Sequence, residues 1–141
     1  MGQHTVEKIG GTSMTRFGEL LDNVLIGAHI DFKSTLFEQA LRLPRARKEE
    51  KEIREKAIKA LEFMGIDHLK DELAGGQPYG VLKKVEMART LMCEPKLIIL
   101  DEPTVGLDPI QIMEVRDLIR ELGKDHTVIL SSHILQEISA V

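Results

Sequence analysis

One cysteine, one tyrosine and no tryptophan occur in the 141 residues. With Cys93 alone there can be no internal disulfide framework, so a reducing compartment suits the chain and Cys93 reads as a small core residue. No apolar run is long enough to span a bilayer, so any membrane association has to go through a partner. The net charge of -4 supplies no basic footprint, and nucleic acid is not an expected partner. No signal peptide is visible, and Val6 stands where myristoylation would need Ser or Thr. With 43% hydrophobic and 30% charged residues, the composition is that of a soluble globular protein and excludes disorder.

The most informative stretch is Leu97 to Pro109, Leu-Ile-Ile-Leu-Asp-Glu-Pro-Thr-Val-Gly-Leu-Asp-Pro. Four apolar residues without alternation predict a strand buried on both faces, as in a parallel sheet covered by helices. Asp101 and Glu102 then fall at the carboxyl edge of that sheet, where open α/β folds bind ligands and where a metal and a water could sit. By themselves the two carboxylates could equally cap a turn. Asp108 is a natural N-cap with Pro109 at the first helical position. Ile112, Val115, Ile119 and Leu122 recur at helical spacing, and Gly123 is expected to end that helix. Thr127 to Leu130 reads as a second strand. A strand, helix, strand crossover puts both strand ends on one edge, so His133 is expected beside Glu102.

The apolar strand, Asp-Glu-Pro and Gly106-Leu107-Asp108-Pro109 together resemble the Walker B segment and D-loop of ATP-binding-cassette (ABC) ATPases. The resemblance implies an α/β fold: an incomplete P-loop NTPase core of parallel strands with crossover helices, plus the α-helical subdomain of that family. It divides the chain into residues 1–21, a remnant of the core; 22–92, the helical subdomain ending in the signature helix; and 93–141, the Walker B, D-loop and H-loop half. A complete cassette domain is longer than this chain. No G-x-x-x-x-G-K-[ST] loop is present, and Gly10-Gly11 reads as a turn. Residues 17–29 resemble the segment after the Q-loop of branched-chain amino acid importer ATPases, with a short deletion between Leu20 and Leu21. The Q-loop position falls near Thr12, without its glutamine.

Helices are predicted over Ser34–Leu43 and Ala46–Met64. In the second, Ile53, Ala57, Ala60, Leu61 and Met64 form an apolar stripe, with Phe63 also assigned to the core. Glu50-Arg54, Glu52-Lys56 and Glu55-Lys59 are spaced as supporting pairs on a solvated face, and Gly65 is the expected C-terminal cap. Leu43 to Arg47 also resembles the importer subfamily.

Leu73-Ala74-Gly75-Gly76-Gln77 looks like the family's L-S-G-G-Q signature. In the family, however, the second signature glycine lies eight residues before the alanine of Val-x-x-Ala-Arg-x-Leu, here Val85 to Leu91. Counting back from Ala88 reaches Gly80, so the signature is Gln77-Pro78-Tyr79-Gly80-Val81, with Gly80 opening a helix to about Met92. The unpaired amides and dipole of a helix start suit a phosphate. Pro78 replaces the serine whose hydroxyl would contact that phosphate, as in the branched-chain importers. Val85, Ala88 and Met92 are expected to face the core, and Glu86 and Arg89 read at least as well as ordinary surface residues.

The resemblance implies ATP and Mg²⁺ as ligands: Asp101 holding the metal, Glu102 polarising the attacking water, His133 as the H-loop histidine touching the γ-phosphate. Pro78, Tyr79, Gly80 and Asp108 would contact the nucleotide of a second nucleotide-binding subunit. Transmembrane permease subunits are the other implied partners, placing the chain in the cytoplasm on the inner face of the plasma membrane. Residues 105–141 resemble exporter-type and gliding-motility cassettes, so the two halves point to different subfamilies. Without Walker A, hydrolysis by this chain alone is not expected. A non-catalytic module that binds a partner subunit stays open; a soluble ABC ATPase acting on DNA or ribosomes is disfavoured by the charge and the lack of a long coiled coil.

Overall fold

The computed structural model describes residues 6–9, 18–28 and 44–131. The helix expected over Ser34–Leu43, the turn at Gly10-Gly11, Thr12 and His133 lie outside the described residues. Strands β1 (Val6–Ile9), β2 (Leu97–Asp101) and β3 (Thr127–Ser131) form one parallel sheet in the order β1-β2-β3. Around it are helices α1 (Leu20–Leu25), α2 (Pro44–Phe63), α3 (Tyr79–Leu91) and α4 (Pro109–Asp125). Only the predicted β2, α2, α3, α4 and β3 have a sequence signature. In β1 the charged pair Glu7-Lys8 hides any period, and the strand is defined by its parallel register on β2, Val6 opposite Leu97 through Ile9 opposite Leu100.

β2 is not equally buried on its two faces. Ile98 and Leu100 are sealed in the core with Val115, Ile119 and Leu122 of α4, whereas Leu97 and Ile99 on the opposite face are only half-buried. The register puts Ile129 of β3 opposite Ile99, and Ile129 is 50% exposed. Among the described residues the expected burial of β2 is met on one face only, the face that α4 covers.

The helical layer is organised by α2. Its stripe of Ile53, Ala57, Ala60, Leu61 and Met64 is buried, and it packs on α3 and α1. Phe63 is 40% exposed because it sits about 100° round the helix from Met64, off the stripe. Gly65 ends the helix with φ +68°; its N–H donates to the Glu62 carbonyl and that of Ile66 to the Leu61 carbonyl, the paired bonds of a left-handed C-terminal cap. The surface charges pair differently from the expected set. Glu52 and Glu55 meet Lys48 and Lys51, each at 3.8 Å, and Lys56 reaches across to Glu94 at 2.8 Å. The hydrogen bond from Lys56, and then its charge, hold the Glu94 carboxyl below its ordinary value.

The long helix α4 does not stop at Gly123. It continues to Asp125, and the chain leaves it where the His126 N–H reaches the Leu122 carbonyl and the Thr127 N–H pairs with the Lys96 carbonyl. Docking onto the start of β2 sets that end; His126 Nδ1 lies 2.7 Å from the Pro95 carbonyl oxygen beside it.

A close backbone approach joins the turn after α1 (Ile26–Ala28) to α3. Residues 18–21 exchange backbone hydrogen bonds with Lys70, Glu72 and Ala74, and Asn23 is buried with its Nδ2 donating to the Glu19 carbonyl at 3.0 Å. The chain then lays Gly27 against α3 so closely that a Cβ there would stand 2.4 Å from the Arg89 carbonyl oxygen. The Cys93 thiol donates to the Gly27 carbonyl at 3.2 Å, which places the half-buried cysteine in a structural contact. Because the obstacle is helical backbone, Gly27→Ala is expected to destabilise the chain by about 1–3 kcal/mol, the usual range for overpacking. Gly76→Ala, which meets open space, is expected to stay within about 0.5 kcal/mol. Urea denaturation midpoints of the two variants check the contrast.

Candidate functional site

The candidate site is built at the carboxyl edge of β2 and β3. Asp101 closes β2 opposite Ser131, and the Glu102 N–H donates to the Ser131 carbonyl at 2.9 Å. Both strand ends therefore meet on one edge, as the crossover requires. Asp101 is exposed there, while Glu102 is half-buried with its Oε2 enclosed. Glu102 also has φ +49°, a left-handed conformation that a branch-free but bulky side chain adopts only at a cost of about 1 kcal/mol or more. The turn that follows, with Pro103 and Thr104 buried beneath it, holds the residue in that conformation.

The loop from Glu102 then runs to Asp108. Val105 N–H returns to the Glu102 carbonyl, Leu107 N–H to that of Thr104, and Gly106 supplies φ +80°. Asp108 Oδ1 accepts from the N–H groups of Ile110 and Gln111, each at 2.9 Å, and Pro109 occupies the first turn as expected. Gln111 returns the bond, its Oε1 accepting from the Asp108 N–H at 3.4 Å. This reciprocal cap was legible as Asp-x-x-Gln before an apolar stripe, a signal the sequence reading passed over.

The start of α3 lies against that loop. Pro78 is its N-cap and brings no N–H and no side-chain cap, so the first-turn amides, those of Tyr79 and Gly80, carry the helix's positive end. Gly80 is buried, and a Cβ on it would be 2.8 Å from the Gln111 carboxamide carbon. The ring of the exposed Tyr79 rests by Gly106, whose own Cβ position would be 3.2 Å from it. Lys84 and Glu114 join the two helices at 2.6 Å. Gly76, by contrast, belongs to a short 3-10 turn, Ala74–Gly76, with nothing near its Cβ position. Helix α3 begins at Tyr79, one residue before the Gly80 start expected from the count back from Ala88.

Pro78, Tyr79, Gly80, Asp108 and Gln111 are therefore one connected cluster, with Asp101 and Glu102 at the head of the same loop. His133 lies outside the described residues. Glu86 is not an ordinary surface residue: it is 9% exposed and pairs with Lys83 at 3.4 Å, whose ammonium sits 5.5 Å above the Tyr79 ring. Among the described residues no three His, Cys, Asp or Glu side chains are placed to hold a metal by themselves. Removing the cap oxygen with Asp108→Ala is expected to cost about 1 kcal/mol, and Asp108→Asn a few tenths, read from thermal or urea unfolding.

Residues 14–105 match the ABC transporter family. The bacitracin transport ATP-binding protein BcrA of Bacillus licheniformis is 48% identical over 80 residues, covering 55% of this chain and 26% of BcrA. The high-affinity branched-chain amino acid transport ATP-binding protein LivG of Escherichia coli is 30% identical over 124 residues, covering 86% of this chain and 49% of LivG. A nucleotide-free ATP-binding cassette from an ABC transporter superposes with a TM-score of 0.74 at 31% identity, over 95% of this chain and 53% of the cassette. The chain thus spans about half or less of the proteins it matches. The incomplete α/β core and its helical layer are those of a cassette ATPase, and the chain belongs to the ABC transporter family.

Proposed function

We propose that the chain is the signature and Walker B half of an ATP-binding subunit that couples ATP binding and hydrolysis to transport across a membrane. In this reading residues 1–21 belong to the core, 22–92 to the helical subdomain and 93–141 to the Walker B, D-loop and H-loop half. The observation that carries it is the carboxyl edge of the sheet, where Asp101 and a conformationally strained Glu102 stand beside the end of β3. Strain of this kind persists where the surroundings over-determine it, commonly at catalytic sites.

An exposed carboxylate with no companion metal ligands among the described residues suits magnesium, which keeps several waters and takes its other ligands from phosphates. Asp101 would hold the ion, which when bound would neutralise charge on the phosphate oxygens. Glu102, half-enclosed, would orient and polarise the attacking water, and His133 would contact the γ-phosphate. Pro78, Tyr79, Gly80 and Asp108, gathered at one end of α3 and α4, would face the nucleotide of a second nucleotide-binding subunit. Permease subunits would be the membrane partners, which agrees with no described helix being long and apolar enough to cross a membrane. The subunit would work in the cytoplasm on the inner face of the plasma membrane. BcrA and LivG are named for the transport of bacitracin and of branched-chain amino acids. The importer-like Pro-Tyr-Gly at the signature favours amino acids, on that motif alone. One observation supports a non-catalytic reading of the chain by itself: it has no G-x-x-x-x-G-K-[ST] to grip a triphosphate.

Two experiments test these readings. The purified 141-residue chain is expected to bind Mg-ATP weakly or not at all, with phosphate release at background; micromolar affinity in titration calorimetry with steady turnover would mean the triphosphate is held some other way. In a chain joined to an upstream segment carrying that loop, Glu102→Gln is expected to keep ATP binding and slow hydrolysis by roughly 10²- to 10⁴-fold, as for loss of a positioned general base. Asp101→Asn is expected to weaken magnesium-dependent binding instead. Parental turnover in Glu102→Gln would remove Glu102 from the mechanism.

A further inference from the structure

We infer that Gln111 is a positioning residue that locks the start of α3 to the loop before α4, so that Gly80 and Asp108 are presented as one unit. Its bearing on function rests on the reading above, in which both residues face a second subunit. The lock itself stands on contacts within this chain.

Contacts of three kinds join the two segments. Lys84 to Glu114 is a charge pair whose carboxylate partner is half exposed, so salt and water weaken it. Tyr79 against Gly106 is a ring edge resting on a glycine. Gln111 alone belongs to both sides at once. Its Oε1 accepts from the Asp108 N–H at 3.4 Å, and its carboxamide lies flat in the space that a side chain at position 80 would fill, with Cδ, Oε1 and Nε2 at 2.8, 2.9 and 3.1 Å from the Cβ position.

Gly80 thus has a role distinct from any ligand. A methyl group there need not move the backbone, because the obstacle is the far end of a flexible side chain. It must, however, push the Gln111 carboxamide aside, and the Asp108 N–H then loses its acceptor. Conversely, truncating Gln111 opens a gap under the first turn of α3, which has no side-chain cap of its own because its N-cap is Pro78. Each substitution should therefore be felt on the other side of the contact. A glutamine acting only as a helix-cap residue of α4 would not produce that reciprocity.

Amide hydrogen exchange by NMR on the 141-residue chain, without nucleotide, tests this. Gln111→Ala is expected to speed exchange about threefold or more at Asp108 and also at Val81 and Leu82, whose N–H groups bond to the Pro78 carbonyl, the size of a lost capping interaction. Gly80→Ala is expected to do the same at Asp108. Gln111→Glu, which keeps the acceptor oxygen in a carboxylate of the same length, is expected to restore near-parental exchange at both places. The lock is overturned if Gln111→Ala leaves Val81 and Leu82 unchanged, if Gly80→Ala leaves Asp108 unchanged, or if Gln111→Glu behaves as Gln111→Ala. Since no nucleotide is involved, these outcomes are independent of whether the chain serves an ATPase.

Discussion

The central place of β2 in the sheet constrains nearly everything else in the molecule. It is hydrogen-bonded in parallel on both sides, to β1 and β3, and a parallel partner cannot be reached by a tight turn. The return to β3 therefore needs a crossover of a helix's length, which α4 supplies while sealing Ile98 and Leu100 with Val115, Ile119 and Leu122. Because both strands run the same way, their carboxyl ends share an edge. Asp101 and Glu102 stand on that edge as a consequence of hydrogen-bond geometry, before any chemistry is asked of them.

From that edge a short chain of contacts reaches the helical layer. Glu102, in a left-handed conformation, turns the backbone into a loop whose own hydrogen bonds deliver Asp108 to the start of α4. The reciprocal cap fixes Gln111, and Gln111 fills the space left open by Gly80 at the start of α3. At the other end of α3, Gly27 approaches the Arg89 carbonyl with no room for a side chain. α3 is thus held at both ends by glycine contacts, one to a side chain and one to backbone, with its apolar face on α2 and α1 between them.

Much of this was legible from residues because it is governed by local rules. The stripe on α2, the left-handed cap at Gly65 and the Asp108-Pro109 helix start depend on periodicity and capping chemistry within a few turns, whereas the placement of Gly80 at the head of a helix comes from the family resemblance. Other expectations turn on a residue's angle on its helix or on a partner in another element. Phe63, expected in the core, is 40% exposed because its angle on the helix takes it off the apolar stripe. Gly123 was read as a stop, yet α4 runs on until the chain meets Pro95 and Lys96 at the start of β2. Lys56 leaves its own helix for Glu94, thirty-eight positions on, and Glu86 is buried under Lys83.

The sequence by itself determined the family resemblance, the strand carrying the two carboxylates and the helices that flank it, because apolar period, Asp-Glu-Pro and Gly-Leu-Asp-Pro are written in consecutive residues. Only the tertiary structure decided that Val6 to Ile9 joins the sheet, that among the described residues Ile129 is left half exposed, that Glu102 is strained, and that Gly27 and Gly80 are needed for close approach. Those facts concern which surfaces come within a few ångströms of each other. A glycine in a sequence reports that no side chain is there; what occupies the space is set by a residue sixty-two positions away for Gly27 and thirty-one for Gly80.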